Sequence, residues 1–198
     1  MVTVRPAADD RDLQAILDLQ RANLERNLAS LADGHVTLEH TLDSLRRMQA
    51  LEPSFVAVEG SALAGYALVM TPALRPLFPV LEPMFTLADG LTFHGKALRS
   101  LRYYVMGQVC VAPPYRGTGV FDALYRAHAE ALGPRHDAVV TEVATRNRRS
   151  LRAHRRVGFE VLATHRDATD EWAVVGWDLQ VRPLTERGPR ARGPLAPD

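Results

Sequence analysis

Residues 109–121 read Val109-Cys110-Val111-Ala112-Pro113-Pro114-Tyr115-Arg116-Gly117-Thr118-Gly119-Val120-Phe121, an apolar run, a pair of prolines, a glycine turn and an apolar helix start. The run is the end of the strongest strand signal in the chain, Tyr103 to Val111, interrupted by Gly107, where a bulge or a close backbone approach is expected. The prolines end it. Glycines then let the backbone approach a ligand, and the helix that follows offers unpaired N–H groups with a partial positive charge, which suits a pyrophosphate. Glycines at a strand-to-helix turn also arise for purely structural reasons. The turn is not a P-loop, because no Gly-Lys-Ser/Thr follows, and it lacks the third glycine of a dinucleotide fingerprint.

Strands and helices alternate on both sides of this stretch. Val2-Thr3-Val4-Arg5 reads as a short strand. Asp9 or Asp10 caps a helix with Leu13, Ile16, Leu17, Leu24 and Leu28 at helical spacing, broken at Asp33-Gly34. Thr37 is read as the cap of a second helix carrying Leu38, Leu42, Leu45 and Met48. Strands at Ser54 to Val58 and Leu63 to Met70 flank a turn at Glu59-Gly60-Ser61. Thr71 to Arg99 is punctuated by Pro72, Pro76, Pro79 and Pro83. It suggests a short helix around Leu81 to Ala88, a hairpin turning at His94-Gly95, and a lid or binding loop overall.

The helix after the glycine turn puts Val120, Leu124, Ala127, Ala131 and Leu132 inward and closes at Gly133-Pro134. Ala138 to Ala144 is a strand, Asn147 to Val157 a helix, and Phe159 to Thr164 and Glu171 to Leu179 are the last strands. Residues 182–198 hold four prolines, four arginines and two glycines, the composition of a disordered tail. The order of elements indicates a single layered domain over residues 1–181.

A second pattern begins 28 residues beyond Gly119: Asn147, Ser150, His154 and Gly158-Phe159. Together the two stretches resemble the GNAT N-acetyltransferase superfamily. The first is similar to its acyl-CoA motif, Arg-x-x-Gly-x-Gly/Ala between strand and helix, and the second to its Asn-x-x-Ala/Ser helix ending in Gly-Phe. The resemblance implies an α/β (α+β) GNAT fold: a central mixed, mostly antiparallel sheet splayed between two central strands, with helices on both faces.

It also implies acetyl-CoA as co-substrate and a primary amine of a small molecule or peptide as acceptor, with no metal. Backbone groups of Val109, Cys110 and Val111 would meet the pantetheine arm, and a backbone N–H there would polarise the thioester. Amides of Arg116, Gly117, Thr118, Gly119, Val120 and Phe121 would wrap the pyrophosphate, and Asn147 and Ser150 would steady the arm. Two departures stand out. Phe121 replaces a small residue, so the turn has less room or the ring turns inward. His154 occupies the place where members often carry a tyrosine that protonates the departing thiolate.

The residues themselves leave alternatives. His154 shares a helix face with Leu151 and Val157, so it is either a thiolate acid or a hydrogen-bonded core histidine. Glu142, an acid inside an apolar strand, is either the general base or the partner of an arginine. Tyr104 and Gln108 are read as lining the acceptor side, with packing the alternative for the tyrosine. Cys110 reads as a buried structural thiol. Leu77, Phe78, Met84, Phe85 and Phe93 make either an apolar lid or a surface for a second copy in a homodimer.

Composition narrows the classes. Apolar residues are 46% and charged residues 24% of 198, ordinary for a globular chain. The longest apolar run, Ala62 to Met70, is nine residues, too short to span a bilayer. The first ten residues carry no apolar segment of the secretory type, and one cysteine excludes an internal disulfide. A soluble, cytoplasmic protein is expected. Net charge is +1, which argues against nucleic acid and acidic membranes as partners. Six arginines fall between positions 146 and 156, and no acid lies between Val143 and Phe159. That patch is either an anion site or a solvated helix face. A non-catalytic acyl-CoA-binding or sensor module is the alternative function.

Overall fold

The computed structural model describes residues 1–28 and 36–181; the Asp33-Gly34 break and the tail from 182 lie outside them. Nine strands and five α-helices are described: β1 (Thr3–Pro6), α1 (Asp10–Ala22), α2 (Leu42–Leu51), β2 (Phe55–Glu59), β3 (Ala62–Met70), α3 (Glu82–Asp89), β4 (Thr92–Phe93), β5 (Lys96–Ala97), β6 (Tyr103–Val111), α4 (Val120–Leu132), β7 (Ala138–Ala144), α5 (Arg148–Val157), β8 (Glu160–Arg166) and β9 (Glu171–Asp178). Seven strands form one sheet in the order β1-β2-β3-β6-β7-β9-β8. Only β6 and β7 run parallel.

Period-two alternation divides the sheet between two cores. Tyr66, Leu68 and Met70 of β3, with Val105 and Val140, pack against α1, α2 and the segment after β3. Ala67 and Val69, with Tyr104, Val139 and Val175, pack against α4. The segment between β3 and β6 is anchored: Leu74, Phe78, Met84, Phe85, Phe93 and Leu98 are all buried in the first core. Among the described residues no helix is long and apolar enough to cross a membrane.

The central feature is where β6 parts from β7. Their pairing covers only Tyr103 to Val105 against Ala138 to Val140. Thr141 Oγ1 then donates to the Met106 carbonyl at 2.9 Å, and beyond it the strands diverge. β6 stays with β3 as far as Val111, opposite Gly65, while β7 stays with β9 as far as Ala144, opposite Trp172. Gly107 is the unpaired residue of a bulge, since Met106 faces Val69 and Gln108 faces Leu68.

Three expectations are corrected. α2 is capped by Thr41, not Thr37: Thr41 and Ser44 make a reciprocal capping box, and that pair outcompetes a lone threonine. α1 stops at Ala22, and Leu24 instead bridges Val36. On α4 the buried stripe is Val120, Leu124, Tyr125, His128 and Leu132, so two rings take the inward places assigned to Ala127 and Ala131.

Candidate active site

The diverging strands leave backbone groups facing open space. The Cys110 carbonyl lies beside Gly65 of β3, and the Ala112 N–H donates to the Ala64 carbonyl at 2.9 Å. By alternation the N–H and C=O of Val109 and Val111 point the other way, into the gap. One of these is taken: Arg116 Nε donates to the Val111 carbonyl at 3.1 Å. Its Nη2 reaches Asn23 Oδ1 at 2.6 Å, tying the end of β6 to the end of α1. The arginine side chain therefore builds the wall.

Past the prolines the chain turns through Gly117 and Gly119 with φ of +79° and +91°, a region costly to side-chain-bearing residues. Nothing lies within 4 Å of where a Cβ would stand on either, so the turn is open toward the gap as well as left-handed. α4 starts at once, its N-terminus aimed at the same space. From the other side come α5 and its arginines 149, 152 and 156. Arg156 is paired with Asp122 at 2.7 Å.

These walls enclose a cleft of about 430 Å³. It brings together Val109, Cys110, Val111, Arg116, Gly117, Gly119, Val120, Phe121, Asn147 and Ser150 of the residues picked from sequence. Thr118 is not among them; its hydroxyl donates to the Tyr115 carbonyl at 2.7 Å. The Phe121 ring turns inward, 4.9 Å from Tyr125 and edge-on to His154 at 5.1 Å between centroids. Burial pushes the Cys110 thiol up to about 12, so it is no nucleophile at neutral pH.

A second, narrower cleft of about 100 Å³ lies deeper in the splay and shares Val36, Val109, Asn147 and Ser150 with the first. Glu142 and His154 border it, with Gln108 and the apolar Leu38, Leu81, Met84 and Trp172. Tyr104 does not: it is fully buried in the second core. Gln108 is held by both ends, accepting from Tyr66 Oη at 2.5 Å and donating to the Leu38 carbonyl at 2.7 Å.

Glu142 pairs with a histidine, not an arginine. His165 Nε2 lies 3.0 Å from Glu142 Oε2, both side chains 16% exposed. Burial holds the Glu142 carboxyl above its ordinary range, against the opposing pull of His165. His154 is 2% exposed. Its Nδ1 lies 2.9 Å from the Ser150 carbonyl and its Nε2 2.8 Å from Tyr125 Oη. A carbonyl only accepts, so Nδ1 carries the proton and Nε2 accepts from the tyrosine. Burial lowers His154 to about 4, which leaves a neutral ring and no imidazolium to give up at pH 7.

The profile of the acetyltransferase (GNAT) family matches residues 17–159. The chain belongs to the acetyltransferase (GNAT) family. Solved structures agree on the fold. The ribosomal-protein-S18-alanine N-acetyltransferase of Escherichia coli superposes with a TM-score of 0.61 at 13% identity, over 98% of this chain and 100% of that one. The yncA protein of Salmonella typhimurium, solved with its cofactor acetyl-CoA, gives 0.59 at 22% identity over 95% and 99%. An N-acetyltransferase from Staphylococcus aureus Mu50 gives 0.59 at 19% over 90% and 99%. No curated protein sequence matches the chain significantly.

In this GNAT domain the Gly-turn and the Asn147 helix thus sit on opposite walls of one cleft. Asn147 caps α5, its side-chain oxygen accepting from the Ser150 N–H at 3.1 Å, which leaves its NH₂ as the group it offers the clefts. His165 escaped sequence reading because no motif marks it.

Proposed function

We propose that this GNAT domain moves an acetyl group from acetyl-CoA directly to a primary amine. The observation that carries the reading is the meeting of the two clefts between β6 and β7. One has the backbone edges and helix N-terminus a CoA needs, and the other has a half-buried carboxylate. A reaction between a thioester and an amine belongs where they join, at Val109, Asn147 and Ser150.

In this reading the amides from Arg116 to Phe121 wrap the pyrophosphate, and arginines of α5 face the nucleotide phosphates. Amide edges of Val109 and Val111 pair with the pantetheine arm, steadied by Asn147. Glu142 takes the proton from the incoming ammonium, because only the neutral amine attacks. The Val109 N–H, facing the join, holds the oxyanion that forms on the thioester carbonyl. Holding both reactants in adjoining clefts removes much of the entropic barrier. Glu142 is the only carboxylate among the described residues bordering the deeper cleft, which favours a monoamine with an apolar body over a polyamine.

Calorimetry of acetyl-CoA on the wild type and a Gly119→Trp variant tests the cofactor half, since the indole would fill the open turn. Micromolar binding lost in the variant supports it, and no binding by the wild type refutes it. Free-thiol release with phenethylamine, lysine amide, spermidine and an alanine-starting peptide tests the transfer. Tight binding with no thiol release from any of the four would favour the sensor module.

A further inference from the structure

Four residues border both clefts: Val36, Val109, Asn147 and Ser150. Ser150 is the only one of them with a side-chain hydroxyl. Behind it stands a hydrogen-bonded chain reaching the centre of the second core. Tyr125 Oη donates to His154 Nε2 at 2.8 Å. His154 Nδ1–H donates to the Ser150 carbonyl at 2.9 Å and lies 3.2 Å from Ser150 Oγ. Tyr125 is fully buried and boxed by Phe121, Phe159 and Trp177, so the chain has little freedom to turn. Because Nδ1 carries its hydrogen toward the Ser150 carbonyl, it cannot accept from Ser150 Oγ, and the serine's own proton is left for the join of the clefts.

We propose that Ser150 is the hydrogen-bond donor to the departing CoA sulfur, and that His154 is its positioning residue rather than the acid itself. The inference rests on the acetyl-transfer reading above. Glu142 first passes the ammonium's proton on to solvent; as the neutral amine nitrogen then bonds to the thioester carbon, the nitrogen's second proton passes to the freed carboxylate. The C–S bond breaks with its electron pair on sulfur. Ser150 lends its O–H to that thiolate and keeps its proton; the thiol is completed from solvent. Two developing charges then face two donors, the oxyanion the Val109 N–H and the sulfur the Ser150 hydroxyl.

The test uses CoA itself and needs no acceptor. The thiolate of bound CoA absorbs in the ultraviolet, and its titration is read in the wild type, Ser150→Ala and Ser150→Thr. Ser150→Ala spares the fold, since the α5 cap uses the Ser150 backbone N–H. A hydrogen bond to the charged form lowers a pKa, so Ser150→Ala should raise the bound thiol by about one unit, a tenfold change in thiolate affinity for its proton. Ser150→Thr should restore it. With the fastest amine of the panel, Ser150→Ala should lower kcat about tenfold at unchanged CoA affinity. An unmoved thiol pKa in Ser150→Ala, with CoA bound as tightly as in wild type, overturns the assignment. Failure of the wild type to bind CoA overturns the cofactor reading beneath it.

Discussion

Tyr125→Phe isolates one hydrogen bond at the heart of the molecule. The tyrosine is fully buried, with ring neighbours at Phe121, His154, Phe159 and Trp177. Phenylalanine keeps all of those contacts and opens no cavity larger than one oxygen. What is lost is the 2.8 Å bond to His154 Nε2, and the nitrogen left behind belongs to a buried ring. An orphaned buried acceptor costs about 1–3 kcal/mol. In a chain of 198 residues, about 2 kcal/mol becomes a fall of about 4–8 °C in Tm.

Circular dichroism melts of the CoA-free protein measure it. Tyr104→Phe is the internal control: its hydroxyl stands 3.4 Å from His128 Nδ1, beyond good hydrogen-bond length, so its loss should lower Tm by much less. Equal and negligible shifts for the two variants would refute the reasoning. They would show that Nε2 needs no donor, and the chain from Tyr125 to Ser150 would lose its anchor.

Two further outcomes follow from the titratable pairs. Glu142→Gln should lower kcat/KM by about 10²–10⁴ and remove the acidic limb of its pH profile. Its carboxyl is raised above the ordinary 4.5 chiefly by burial. It therefore contributes stability fully below that value and loses it as pH rises through the folded one. Melts should show the Gln variant gaining on wild type toward neutral pH; a gap constant across pH would contradict this. His94 lies 3.0 Å from Asp178 and 2.6 Å from Glu160, and its pKa is raised, first by the Asp178 hydrogen bond. The clamp is present below the ordinary 6.5 and lost as pH rises through the raised value. His94→Asn, tolerated at φ +47°, should cost more thermal stability in mildly acidic than in alkaline buffer; the reverse order would exclude the clamp.

Where local physics is decisive, the chain was legible. β6 occupies the residues read from its apolar run and is closed by prolines that cannot extend a ladder. The hairpin turns at His94-Gly95, both at positive φ, and α5 begins after Asn147 and ends at Gly158. Where distant pairing decides, reading failed. His165 lies opposite Trp172 of β9, and Trp172 lies opposite Ala144 of β7, so the Glu142 pair reaches diagonally across an intervening strand. β8 is also irregular between Val161 and Ala163, and one extra residue flips which side chains share a face. No periodicity in the sequence contains that slip. The inward Tyr125 and His128 escaped for a related reason: an alanine-rich helix offers several stripes, and the facing sheet chooses among them.

The splay itself follows from competing registers. β6 is held to β3 through Gly65 opposite Val111, and β7 to β9 through Ala144 opposite Trp172; the bond from Thr141 to the Met106 carbonyl marks the point where the two partnerships separate. Past it, β6 turns toward open space amide groups that a continuous sheet would have paired, and buried backbone polar groups demand partners. Arg116 supplies one, for the Val111 carbonyl. The N–H and C=O of Val109 and the N–H of Val111 then favour a guest with amides at strand-like spacing over a purely apolar one. Under the proposed reading, the pantetheine arm of CoA completes the sheet that Arg116 leaves unfinished. In that reading the thioester rests near Val109, the first residue past the Gly107 bulge whose backbone N–H and C=O face the gap.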